Sequence, residues 1–77
     1  MSFCIDCPPG GLRPDAHLHN MCQALGLPEA MFVPESRLFG CWTWQIQDRE
    51  AYAAAVPAIK AHLVALHAGG HIRYAEW

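Results

Sequence analysis

The chain has 77 residues, 53% hydrophobic and 16% charged, with five Lys and Arg against seven Asp and Glu for a net charge of −2. That length admits one small domain, and the composition lies far from the polar, highly charged profile of disordered chains. The charge supplies neither the basic footprint of a phosphate-binding surface nor the acidic density of a nucleic-acid mimic.

A domain of this size buries only roughly 60% of the surface its unfolded chain exposes, so a metal, a disulfide or a partner subunit is an expected source of extra stability. The N-terminal run Met1 to Cys7 has no basic region and no continuous apolar stretch, which reads as the absence of a secretory signal and points to the cytoplasm. Ala51 to Ala68 is interrupted by Pro57, Lys60, His62 and His67 and reads as too mixed for a membrane span. Cytoplasmic thiols are kept reduced, so the four cysteines suggest metal binding before disulfides.

Residues 1–13 hold Cys4-x-x-Cys7 and then Pro8-Pro9-Gly10-Gly11, a run that reads as a loop with a knuckle. A short helix is predicted from Pro14 or Asp15. Leu18, Met21, Cys22 and Leu25 lie on one face of it, Gly26 is at its C′ position and Pro28 lies beyond. Ala30 to Val33 and Arg37 to Ile46 read as a hairpin with its turn at Pro34-Glu35-Ser36. Alternation sends Trp42, Trp44 and Ile46 to one face and Phe39, Cys41, Thr43 and Gln45 to the other.

Asp48 is placed as the N-cap of a longer helix that runs to Ala68 and stops at Gly69-Gly70. Tyr52, Ala55 or Val56, Ile59, Leu63 and Leu66 form its inward stripe, and Pro57 is expected to kink it. His71 to Trp77 reads as a terminal strand. The expectation is a single α+β domain over 1–77. It comprises a zinc-knuckle loop and short helix (1–27), then a hairpin, helix and strand (30–77). About three strands pack against the one longer C-terminal helix.

The most specific constellation is Cys4-x-x-Cys7 with His19-x-x-Cys22, a candidate zinc site of Cys3His type. Zinc takes four donors in a tetrahedron, thiolates at ~2.3 Å and imidazole nitrogen at ~2.0–2.1 Å. On a helix His19 and Cys22 are about 60° apart around the axis and His17 and Cys22 about 140°, which favours His19 over His17 as the imidazole ligand. Cys41 is a rival fourth ligand, giving an all-thiolate zinc site or an iron–sulfur cluster; otherwise a free strand cysteine is expected to be a small buried hydrophobe. With four protein ligands the zinc would be structural, and Cys7→Ser should cost more stability than Cys41→Ser.

Other chemistry has less to stand on. A thiol–disulfide role for Cys4 and Cys7 lacks the strand before and helix after that a thioredoxin-like motif requires. His62, His67 and His71 are not spaced as a cluster, and His67 suits the dipole at a helix end. No nucleophile elbow or phosphate loop is present. Phe39, Trp42, Trp44, Tyr74 and Trp77 could stack bases, but Arg13, Arg37, Arg49, Lys60 and Arg73 are scattered. A small core cannot hide three Trp and an Ala-rich helix, so an apolar patch is expected to remain as a partner or dimer surface. The expectation is a non-enzymatic, zinc-stabilised protein-binding module that regulates or inhibits another protein. Small phage-encoded inhibitors, anti-CRISPR proteins among them, share that general profile, although no residue motif of such a family is present. A zinc-dependent nucleic-acid module and a thiol oxidoreductase are the alternatives.

Overall fold

The computed structural model describes residues 2–38 and 40–77. Its first element is a strand, β1 (Ser2–Asp6), where a loop was expected. Phe3 and Ile5 are fully buried, Cys7 follows them into the core, and Cys4 and Asp6 alternate to the other face. This two-residue period and the β-favouring Phe and Ile make the strand; the helix-breaking prolines begin only at Pro8.

Helix α1 (Pro14–Leu25) has Pro14 in its first turn and ends at Gly26, whose φ of 69° places it in the left-handed region. Glycine adopts that conformation without steric cost, and its amide donates back to the Cys22 carbonyl. Pro14, His17, Leu18, Met21 and Cys22 are the buried residues of α1. After a turn of 3-10 helix at Glu29–Met31 comes β2 (Phe32–Leu38), followed by β3 (Cys41–Ile46). Pro34 therefore lies inside a strand, and the last pair of the hairpin is Leu38 with Cys41. A strand tolerates this proline because β2 is at the sheet edge, and its register with β3 shifts between Pro34 and Ser36. Phe39, assigned to a strand face and to an aromatic platform from sequence, lies outside the described residues.

Helix α2 (Arg49–Ala68) is capped by the Asp48 side chain, which accepts from the Ala51 amide at 3.1 Å, and it continues through Pro57 as one element. Three of its residues, Tyr52, Ile59 and Leu63, are buried, and Ala55, Val56 and Leu66 pack at the margin of the core, which is the stripe its periodicity predicts. An 18-residue window of α2 reaches a mean hydropathy of 1.2, so by length and composition alone it passes as a membrane span, a test that the core helix of a soluble protein passes too. Alanine contributes eight of the 20 residues of α2.

The last strand, β4 (Tyr74–Glu76), is short. The sheet has four strands, not three, in the order β2-β3-β1-β4, and every neighbouring pair is antiparallel. β1 occupies the place between β3 and β4, so the N-terminal segment is the centre of the sheet. One face carries Phe3, Ile5, Phe32, Trp44 and Ile46 into a core shared with Leu18 and Met21 of α1 and Tyr52, Ile59 and Leu63 of α2. Phe3 is its hub, with ring centroids 5.1 Å from Phe32, 5.9 Å from Trp44 and 6.5 Å from Tyr52. Such tilted and edge-on aromatic contacts add to the apolar burial. The opposite face, with Cys4, Asp6, Cys41, Thr43, Tyr74 and Glu76, bears no helix.

Candidate functional site

The strand alternation decides where the proposed zinc ligands go. Cys7 and Cys22 are buried in the core, 3% and 1% exposed, while Cys4 is half-buried on the open face of the sheet. His19 is exposed, and its Nδ1 lies 2.9 Å from Glu29 Oε2. His17, the alternative imidazole, is buried; its Nε2 finds no partner among the described residues, and its ring is 6.4 Å from that of His71. Among the described residues no three or more His, Cys, Asp or Glu gather into a group able to hold a metal ion. Cys41 is exposed, not the small buried hydrophobe expected, because it falls on the helix-free face.

The structure instead brings together Cys4 and Cys41, whose sulfurs are 3.5 Å apart. Cys4 lies opposite Thr43 and Cys41 opposite Asp6 in the β1–β3 register, so the thiols are diagonal neighbours on one face. Burial is the main cause that pushes the Cys4 thiol up to about 11, followed by the hydrogen bond and the charge of Cys41, against a lowering hydrogen bond from Thr43. Burial also raises the Cys22 thiol to about 11, and raises Cys7, where Asp6 adds to the effect. Two polar pairs flank the open-face thiols: the Arg73 guanidinium donates to Asp6 Oδ1 at 2.8 Å, and the Tyr74 hydroxyl donates to Glu76 Oε2 at 2.8 Å.

Two concavities stand out among the described residues. The loop 8–14, with Cys7, Gly40 and Arg73, lines a recess of about 440 Å³, and Arg13 and Arg73 are the cationic residues of its described lining. The second, of about 230 Å³, lies between the end of α2 and strand β4. It is lined by Leu63, Val64, His67, Ile72, Tyr74, Ala75 and Trp77. Three of these are large and exposed, Val64 and Tyr74 at 51% and Trp77 at 39%.

Val64 also belongs to an outward stripe on α2. Ala61, Val64, Ala65 and Ala68 are all exposed and recur at i, i+3, i+4 and i+7, one face of a helix. The groove and the stripe form one continuous apolar surface through Val64. Of the aromatics considered for base stacking, Trp44 is buried, Trp42 is half-buried with the Arg37 guanidinium 4.9 Å from its ring centroid, and Tyr74 and Trp77 are exposed. Sequence reasoning anticipated an exposed apolar patch but not its place; the outward stripe of α2 was the available signal. Comparison with protein-family models, with curated proteins and with solved structures finds no match.

Proposed function

We propose that the chain is a protein-binding module that acts as a compact regulator or inhibitor of a partner protein, and that it binds through the groove between α2 and β4. The observation that carries this reading is the continuity of the groove with the outward stripe of α2. An apolar surface of that kind on a small domain marks an interaction site, and a Trp and a Tyr beside a recess are the residue types that dominate binding energy at protein interfaces. The described residues that line the groove include no Lys, Arg, Asp or Glu, so burial of apolar area supplies the affinity and added salt weakens it little.

The test is capture from a native lysate with the wild-type chain and with Val64→Asp, followed by titration of each retained protein in purified form. A single protein that binds the wild type with an affinity little changed between low and moderate salt, and binds Val64→Asp at least tenfold more weakly, supports the reading. Equal binding by both chains, a steep loss with salt, or retention on neutral lipid vesicles in place of a protein overturns it.

A further inference from the structure

We propose that Cys4 and Cys41 form a reversible dithiol–disulfide couple on the open face of the sheet, in exchange with low-molecular-weight disulfides of the oxidised-glutathione class. This goes beyond the groove reading and does not depend on it. The pairing follows from topology. Only because β1 lies beside β3 do residues 37 positions apart in sequence come to face each other. Their sulfurs, at 3.5 Å, are about 1.5 Å further apart than in a disulfide. Diagonal neighbours in adjacent strands share one face but lie ~7–8 Å apart, so closing that distance takes side-chain rotation together with a small approach of the two strands.

No other cysteine competes. Cys7 and Cys22 are buried in the core on the far side of the sheet, where a reagent cannot reach them without unfolding. Cys41 is exposed and Cys4 half-buried, which sets the order of events. The Cys41 thiolate attacks one sulfur of the external disulfide, forming a mixed disulfide and releasing one thiolate. Cys4 then loses its proton to solvent and its sulfur attacks Cys41 Sγ, displacing the second thiolate. Two protein thiols are oxidised by two electrons in all, and one external disulfide is reduced to two thiols.

Of the carboxylates on this face, Asp6, whose charge also raises the Cys4 thiol, is paired with Arg73, and Glu76 accepts from the Tyr74 hydroxyl. The product is a covalent tie between β1 and β3 that closes a long loop containing α1 and β2. Loop closure of that length restricts the unfolded chain and raises stability.

The folded protein is equilibrated in glutathione buffers from fully reducing to fully oxidising, quenched in acid, alkylated and mapped by mass spectrometry. The expected result is a peptide cross-linked through Cys4 and Cys41 that reverts on reduction. Cys7 and Cys22 should be alkylated only after unfolding, and the thermal midpoint should rise by roughly 5 °C or more on oxidation. Cys4→Ser should leave a stable glutathione adduct on Cys41 and no cross-link. A wild-type chain that carries only adducts at Cys41 at every buffer ratio, stays fully reduced throughout, or cross-links through Cys7 or Cys22 overturns the proposal.

Discussion

The backbones of Gly40 and Cys7 lie against each other: the Cys7 amide donates to the Gly40 carbonyl at 2.9 Å, and a β-carbon on Gly40 would stand 2.5 Å from the Cys7 carbonyl oxygen. This contact fixes the β2–β3 turn over the end of β1. The opposing atom is backbone and cannot swing aside. Gly40→Ala is therefore expected to lower stability by about 1–3 kcal/mol, read as a fall in the urea midpoint with little change in slope. An unchanged midpoint would mean that the turn is free to move away from Cys7.

The four thiols should separate into two classes. Cys41 and then Cys4 are expected to react with a thiol reagent in the folded protein, and Cys7 and Cys22 only on unfolding, because both lie in the core and burial holds their thiols up. For the same reason Cys7→Ser should cost roughly 1–3 kcal/mol by placing a hydroxyl in apolar surroundings, while Cys41→Ser should fall within about 0.5 kcal/mol of the wild type. One fast thiol, with three more released by a chelator, would instead be the signature of the Cys3His zinc site.

Stability should fall in mild acid because of His17. Its imidazole is held below the ordinary 6.5, first by burial and then by His71 and His62, against a hydrogen bond to the His71 backbone that favours the charged form. The unfolded chain takes up a proton at this site below about pH 6.5 while the folded chain stays neutral. The contribution to stability is thus fully present above that pH and is lost as pH falls from there through the folded value. Urea midpoints measured from pH 8 to pH 5 should drop more steeply for the wild type than for His17→Leu. Equal slopes would show that His17 titrates alike in both states.

The helices were legible in the sequence because their signals are long, whereas Arg37 to Ile46, read as one strand, divides into the end of β2 and the whole of β3. The Asp48 cap, the stripe Tyr52, Ile59, Leu63 and the Gly26 stop are each local, and each was found where expected. β1 is hard to read from sequence because its alternation of Phe3, Ile5 and Cys7 is short and overlaps Cys4-x-x-Cys7, a spacing that equally suits a metal knuckle. Without β1, Cys4 and Cys7 read as two arms of one knuckle; with it, the strand itself separates them. The hairpin turn was misplaced because proline marks turns more often than it marks edge strands, and only the sheet order reveals that β2 is an edge. The Cys4–Cys41 pair was beyond reach for the same reason, since adjacency of β1 and β3 is a long-range fact. The groove depends on the chain reversal at Gly69-Gly70, which returns Ile72 to Trp77 alongside Leu63 and Val64.

The most direct test of the account is hydrogen–deuterium exchange of the chain alone and in complex with the partner identified by titration. Binding through the groove predicts slower exchange at the end of α2, residues 61–68, and at 72–77, with the β2 edge at 32–38 unchanged. Protection confined to 32–38 or to the loop 8–14, with 61–68 and 72–77 unaltered, would contradict it.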